Sequence, residues 1–130
     1  NCIPMTQTPR GFLPGRHPLD AVGQGGFRFS DMSHRGSVLI LPSGIHAWDA
    51  LTPADITPAR LKALFAEAPQ IDFVLIGTGS TLVRLDPTLL WQFRERGLNV
   101  DPMTTLAAAR TYNVLVAEGR RVAAALLALE

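Results

Sequence analysis

The stretch DFVLIG, residues 72–77, is a short apolar run that ends at a glycine and has no polar face. This composition is typical of a strand that other layers cover on both faces, whereas a half-exposed strand alternates apolar and polar residues. Helix starts lie on either side of it. Pro58 follows Thr57, and Pro87 follows Asp86, so that each proline comes directly after a capping residue. We therefore predict a central strand at 72–77 between two helices.

The segments after this strand continue the same pattern. The helix before it is predicted at about 58–68, and the helix after it at about 87–96. LNV, residues 98–100, is the next short strand. A strand, helix, strand order gives parallel neighbouring strands with the helix packed on the sheet. Further helix is predicted between 104 and 128, a segment rich in Ala, Leu and Val.

The N-terminal part of the chain has a different composition. Residues 1–24 hold four prolines and several glycines, which favours an extended arm lying on the domain. GGFRFSD, residues 25–31, is predicted as a strand, and GSVLILPSGIHAWDA, residues 36–50, as a second strand, a turn and a third strand. We therefore predict an N-terminal β-hairpin within one α/β domain that covers residues 25–130.

The length and the net charge of the chain exclude several classes of function. A chain of 130 residues with a formal net charge of +1 has one domain's length and no general field that would draw it to nucleic acid or to an anionic membrane. The single cysteine, Cys2, leaves no disulfide, and the apolar stretch 122–129 is far shorter than the roughly 18 residues of a membrane span. We expect a cytoplasmic protein without direct membrane insertion.

Metal and nucleophile chemistry have no sequence support. His17, His34 and His46 show no ligand spacing, and no serine lies in a Gly-x-Ser-x-Gly motif. We predict no metal, no cofactor, no catalytic residue and no independent hydrolase or nucleotidyl activity.

The glycine turn that follows the central strand is the first candidate site. Gly77, Thr78 and Gly79 lie at the carboxyl end of the strand, where open α/β sheets bind ligands. A dinucleotide motif needs a third glycine where this chain has Leu82, and a phosphate loop needs a lysine that is absent. We favour a structural interpretation, in which the glycines let the chain turn sharply beneath a helix, and keep a ligand crevice as the alternative.

The segment MTTLAAARTYNVLVAEGRRV, residues 103–122, is the second candidate, because Arg110, Tyr112, Asn113 and Glu118 interrupt an apolar helix. Thr104 or Thr105 is predicted to cap its start. Arg110 and Glu118 lie about two turns apart and could line one groove with Met103 and the glycine turn. Asn113 is expected to satisfy backbone groups at a break in the helix, and Glu118 to pair with Arg121. Arg110 would contact either a carbonyl near the turn or a bound anion, or else a partner.

Several motifs together resemble a known family. GGFRF, HRGSVLILPSG, Trp48, LIGTG, MTT, ARTYN and AEGRRVAAAL occur here in the order seen in a small bacterial and archaeal family whose mitochondrial relative is NADH:ubiquinone oxidoreductase complex assembly factor 3. The resemblance covers about residues 20–128. It implies a three-layer α/β fold with a central mixed sheet, which we expect to have about five strands. It also draws attention to positions in the turn and the helix: Gly77, Gly79, Met103, Thr104, Arg110, Thr111, Tyr112, Asn113, Glu118 and Arg120.

Two functions fit these residues. In the first, the protein is a non-enzymatic interaction module that docks on a protein partner, a membrane-complex subunit by analogy, and lies peripheral to the inner membrane through that partner. Arg28, Trp48 and the Arg/Tyr/Asn surface would make the contacts, because these residue types dominate interfaces. In the alternative, the crevice binds a small anionic metabolite, with Arg110 as the anion clamp and Tyr112 or Glu118 as proton donor or acceptor.

Overall fold

The computed structural model describes residues 13–14, 17–30 and 32–129, so most of the predicted arm, residues 1–12, 15 and 16, lies outside the described residues. The elements, in chain order, are β1 (Leu13–Pro14), β2 (Ala21–Gly23), β3 (Gly26–Phe29), β4 (Met32–Arg35), β5 (Ser37–Leu41), β6 (Gly44–Trp48), α1 (Lys62–Ala66), β7 (Phe73–Gly77), α2 (Pro87–Glu95), β8 (Asn99–Met103), α3 (Thr105–Ala117) and β9 (Val122–Leu126). Short 3-10 turns occupy Pro53–Asp55, Ala59–Leu61 and Ala68–Gln70.

The strands form two sheets. The larger sheet has the order β1-β6-β5-β9-β7-β8, in which β1 contributes two residues at one edge. β7 runs parallel to β8 and to β9, whereas the other neighbours are antiparallel. The predicted mixed sheet is confirmed, and so is the parallel pairing of the strands that flank α2. β2, β3 and β4 form a separate antiparallel sheet.

The large sheet is covered on both faces, which gives three layers. On one face, Leu64 of α1 and Phe93 of α2 pack against Val74 and Ile76 of β7. The other face is covered by α3 and the small sheet, and Leu75 belongs to the core there. β7 is therefore apolar at successive positions because its side chains enter two different cores. The predicted covered strand is confirmed.

The predicted capping residues accept backbone hydrogen bonds with their side chains. The Asp86 carboxylate accepts a hydrogen bond from Thr88 N at 2.8 Å, so it caps α2. The Thr57 hydroxyl accepts from Arg60 N at 3.3 Å. The first predicted helix is nevertheless only partly α-helical, because a 3-10 turn precedes α1.

Residues 122–126 differ from the prediction. The helix expected between 104 and 128 ends at Ala117, and Val122–Leu126 form β9, which lies between β5 and β7. Gly119 has a φ of +76°, a left-handed conformation that stops the helix and turns the chain. All five residues of β9 are buried. The sequence VAAAL favours helix locally, but its small side chains also suit a central strand with helices packed closely on both faces.

The close packing over β9 predicts that a larger side chain there is harmful. Ala124 is fully buried in the core that also contains Ala108 and Ala109 of α3. We expect Ala124→Leu to lower the free energy of unfolding by about 1–3 kcal/mol, because an added side chain overpacks the core. Chemical denaturation measures this change.

The control for this substitution is Ala47→Leu, which makes the same change at an exposed position of β6 in the same sheet. It should leave stability within about 0.5 kcal/mol of the parent. Equal stability of the two variants would contradict the central position of β9.

Candidate functional site

The glycine turn packs directly against the start of α3. A Cβ atom placed on Gly77 would lie 2.9 Å from the Cα atom of Thr105, closer than a side chain can approach a backbone. Gly79 has a φ of +99°, where a residue other than glycine is strained. Both glycines are therefore accounted for by packing and backbone geometry, because β7 must end and turn underneath the first residue of a helix.

Thr105 holds this junction together. Its side chain is fully buried, and its hydroxyl accepts a hydrogen bond from Gly79 N at 2.9 Å while donating to Leu127 O at 2.7 Å. Its own backbone N–H donates to Gly79 O at 2.8 Å. One side chain thus joins the end of β7, the start of α3 and the segment after β9. Local sequence patterns predict only a capping role for Thr105, as the alternative to Thr104, and do not indicate this junction.

Thr78, Met103 and Thr104 of the predicted crevice lie at the same place. Thr104 caps α3, because its hydroxyl accepts from Ala107 N at 3.3 Å. Thr78 N donates to Met103 O at 2.9 Å, and the Thr78 hydroxyl donates to Thr81 O at 2.7 Å. These polar groups are thus occupied by hydrogen bonds within the protein.

Tyr112 and Asn113 bind the segment that precedes β2. The Tyr112 ring is fully buried, and its hydroxyl donates to His17 O at 2.8 Å. The Asn113 amide accepts from Leu19 N and donates to Leu19 O, both at 2.8 Å. Asn113 therefore satisfies backbone groups, as expected, but not at a break in the helix: α3 is continuous from Thr105 to Ala117. The groups that needed a partner belong to another segment of the chain.

Arg110 lies on the other side of α3. The buried positions of this helix are Thr105, Ala108, Ala109 and Tyr112. Arg110 comes five residues after Thr105, which places it about 140° around the helix axis. It is exposed and makes no hydrogen bond or ion pair with any residue that the structure describes. The structure thus does not bring Arg110 to the glycine turn, contrary to the sequence prediction.

The end of α3 also differs from the prediction. Glu118 was expected to pair with Arg121, yet Arg121 Nη2 lies 3.0 Å from Asp72 Oδ1, and Glu118 lies 3.9 Å from Arg120 Nη1 instead. A pair between Glu118 and Arg121, which are three residues apart, requires the helix to continue through Arg121. Because the helix ends before Gly119, residues 118 and 121 do not share a helical face. Both observed ion pairs are exposed and contribute little to stability.

The two predicted interaction residues have different surroundings. Arg28 is exposed on β3. Trp48 is 5% exposed, and its indole N–H donates to Arg60 O at 2.8 Å. Trp48 therefore attaches the segment before α1 to the sheet, and most of its ring is unavailable to a partner.

The histidines lie in separate environments. His34 is buried, with its Nε2 atom 3.3 Å from Ser37 O, and burial lowers the pKa of its ring while this hydrogen bond opposes the change. His46 Nε2 lies 2.8 Å from the Ser43 hydroxyl, which donates to Glu67 Oε2 at 2.6 Å. In the part of the chain that the structure describes, no three His, Cys, Asp or Glu side chains are grouped so as to hold a metal ion.

Among the described residues, two cavities lie away from the glycine turn. The larger, of about 830 Å³, is a groove between β6 and the segment that leads into α1. The smaller, of about 360 Å³, lies against the small sheet, near Gly25, Arg28 and Ser33. The sequence did not reveal the groove, because its walls come from segments that are distant along the chain.

Within the described ranges, no helix has both the length and the apolar character needed to cross a membrane.

A family model places this chain among known sequences. The model described as "Protein of unknown function (DUF498/DUF598)" matches residues 19–127. The chain belongs to this family. It is 39% identical over 123 residues to an uncharacterized protein of Rhodobacter capsulatus, an alignment that covers 95% of this chain and 93% of that protein.

The chain is also similar to an assembly factor. The chain is 32% identical over 109 residues to the mouse NADH dehydrogenase [ubiquinone] 1 alpha subcomplex assembly factor 3. The alignment covers 84% of this chain but 59% of that protein, so the chain spans about three fifths of the length of this relative.

Solved structures of the family share this fold. A crystal structure of a Bartonella henselae protein, described as an outer membrane protein, is 49% identical with a TM-score of 0.88, over 92% of this chain and 100% of that one. A solution structure from Bordetella pertussis, described as a Mth938-like domain, is 30% identical with a TM-score of 0.74, over 85% of each chain. The predicted three-layer α/β fold and the family resemblance are both confirmed.

The junction at Thr105 can be tested with a substitution that keeps the shape of the side chain. Thr105→Val removes the hydroxyl and leaves Gly79 N and Leu127 O without this partner in a buried position. We expect the free energy of unfolding to fall by about 1–3 kcal/mol. Thr111→Val is the matched control, since the Thr111 hydroxyl makes only a 3.6 Å contact with Met103 Sδ. Equal losses in the two variants, measured by denaturant unfolding, would argue against a special role for Thr105.

The tether made by Asn113 is tested by local hydrogen exchange. Asn113→Ala removes both hydrogen bonds to Leu19, and we expect a loss of about 1–2 kcal/mol together with faster exchange of the Leu19 amide. Asn99→Ala is the control, because Asn99 is exposed on the edge strand β8 and its side chain makes no hydrogen bond to a described residue. Unchanged protection of Leu19 in the Asn113 variant would rule out the tether.

Proposed function

We propose that this protein is a non-enzymatic interaction protein of the assembly-factor type and that it binds a protein partner through the outer face of α3. The observation that carries the proposal is the exposure of two large apolar side chains around an arginine on that face. Leu106 is 43% exposed and Val114 is 55% exposed, and Arg110 lies between them. We call these three residues the α3 docking face.

The spacing of the α3 docking face suits a single partner surface. Its members are four residues apart, so each step turns by only about 40° around the helix axis and rises about 6 Å. Leu106, Arg110 and Val114 therefore form one stripe over about two turns of α3. A stripe of this kind fits a segment that places apolar side chains at both ends and a carboxylate opposite the guanidinium.

The inner face of the same helix supports this division of roles. Tyr112 and Asn113 are engaged with His17 and Leu19, so they hold the helix and the N-terminal segment in place. Arg110 has no comparable structural task among the described residues. A polar side chain that the fold does not use, flanked by exposed apolar groups, is the part of α3 best suited to recognition.

The relatives suggest what kind of partner is bound. The mouse relative is named as an assembly factor of the NADH dehydrogenase 1 alpha subcomplex. By analogy, the partner of this protein would be a subunit of a respiratory membrane complex, and the protein would lie peripheral to the inner membrane through that subunit. This step rests on relationship and not on a site, because one fold can serve several functions.

The alternative function, binding or conversion of a small anionic metabolite, would need a crevice that joins Arg110 to Gly77–Gly79. The inner face of α3 packs on that turn, whereas Arg110 lies on the outer face of the helix. The guanidinium is therefore not directed at a ligand that the turn would hold. This geometry favours the interaction hypothesis over the metabolite hypothesis.

The partner can be identified and the face tested in two steps. A photo-crosslinking residue at position 106 in the tagged protein, expressed in its native host, captures what lies against α3. The captured protein is then purified, and its Kd is measured against the unmodified chain and against Arg110→Glu. We expect Arg110→Glu to weaken binding at least about tenfold, which corresponds to about 1.4 kcal/mol, with an unchanged melting temperature.

Arg94→Glu provides the matched control, because Arg94 is exposed on α2 and its substitution changes the net charge by the same amount. It should bind like the parent protein. An Arg110→Glu variant that retains full affinity, or an Arg94→Glu variant that loses as much, would refute the α3 docking face.

A further inference from the structure

The groove beside α1 is a feature that the proposed function leaves unused. It has a volume of about 830 Å³ and lies between β6, the turn after β6 and α1, with the β4–β5 corner at one end. We call it the α1 groove. Its lining residues are His34, Arg35, Leu39, Ala47, Trp48, Asp49, Ala54, Asp55, Thr57, Ala59, Arg60, Lys62 and Ala63.

Cationic side chains predominate in this lining. Arg35, Arg60 and Lys62 face two carboxylates, Asp49 and Asp55. Arg35 and Lys62 make no hydrogen bond or ion pair with residues in the described ranges. Lys62 is also the single lysine among the twelve basic residues of the sequence.

One of the two carboxylates is already engaged by the backbone. Asp55 Oδ2 accepts hydrogen bonds from Leu51 N at 2.9 Å and from Thr52 N at 3.1 Å. These backbone donors lower the pKa of Asp55, and the nearby positive charge of Arg60 acts in the same direction. Asp55 thus stabilises the turn before α1. Asp55 remains ionised, and the three cations exceed the two carboxylates of the lining by one positive charge.

Small side chains make up much of the groove lining. Exposed alanines at positions 47, 54, 59 and 63 supply small side chains, whereas Leu39 and Trp48 border the groove but are almost fully buried. Small-molecule sites have volumes of about 300–1,000 Å³ and enclose most of the ligand surface. This cavity lies near the upper end of that range, yet it is an open groove that would leave a small ligand largely in water. A polypeptide segment laid along it could instead approach the alanines closely.

We propose that the α1 groove binds an extended acidic segment of a partner polypeptide. Side-chain carboxylates of the segment would pair with Arg35, Arg60 and Lys62, while its backbone lies over the alanines. The groove is on the α1 side of the large sheet, whereas α3 covers the opposite face. It is therefore a second contact surface, independent of the α3 docking face.

The experiment uses Trp48 as a reporter. The sequence has two tryptophans, and Trp91→Phe leaves Trp48 as the single one, in the wall of the groove. The full chain with this substitution is titrated with a hexaglutamate peptide, with a hexalysine peptide and with citrate. We expect a saturable change in Trp48 fluorescence with hexaglutamate that weakens as salt is added, no saturable change with hexalysine, and much weaker binding of citrate.

Matched charge variants locate the binding site. Arg35→Gln with Lys62→Gln should weaken hexaglutamate binding by about three- to tenfold, because each exposed ion pair contributes a modest amount. Arg84→Gln with Arg94→Gln removes the same charge at exposed positions outside the groove and should bind like the parent. Arg110→Glu should also leave peptide binding unchanged, which separates this test from that of the α3 docking face.

Three results would overturn the proposal. The first is the absence of a saturable response to hexaglutamate at millimolar concentration. The second is an equal loss of binding in the two double variants, which would indicate attraction to the whole surface. The third is citrate binding as tight as that of the peptide, which would make the groove a small-anion site.

Discussion

The hydroxyl of Thr105 is the contact on which the arrangement of the large sheet and α3 depends. It accepts from Gly79 N and donates to Leu127 O, so it fixes the first residue of the helix to the ends of two neighbouring parallel strands. Gly77 must lack a side chain for the helix to come this close. Buried backbone groups at the end of a strand need partners, and here one short side chain supplies two of them. The segment that looks like a ligand-binding loop in the sequence is, in the structure, a packed junction.

This junction determines which face of α3 is available to other molecules. Once Thr105 faces the sheet, Tyr112 follows on the same side, and Asn113 is turned toward the segment at His17 and Leu19. Leu106, Arg110 and Val114 are then directed toward solvent. Residues that contact other parts of the fold and the residues of the proposed α3 docking face therefore alternate along the sequence, and the latter are exposed. The α1 groove, on the far side of the sheet, is not affected by this division.

Much of the fold was predictable because its signals are local. The apolar run at 72–77, the prolines at 58 and 87 that follow capping residues, and the turn within residues 36–50 each depend on a few adjacent residues. The assembly of Gly77, Thr78, Gly79, Met103 and Thr104 at one place also followed from the order of elements, since consecutive parallel strands end at the same edge of a sheet. The errors lie where local preference and tertiary context compete. VAAAL has helical propensity, yet a strand at this position pairs with both β5 and β7.

The sequence by itself determined the class of fold, the covered strand, the helix starts and the polar composition of α3. The tertiary structure alone decided which of those polar residues form hydrogen bonds within the fold and which remain exposed. Asn113 and Arg110 are three residues apart and equally polar in the sequence, but one meets the backbone of a segment 94 residues away and the other meets no described partner. The α1 groove is a similar case, since its cations come from β4 and from the segment at α1. Propensity acts between neighbours along the chain, whereas the fate of a polar side chain depends on which distant backbone packs against it.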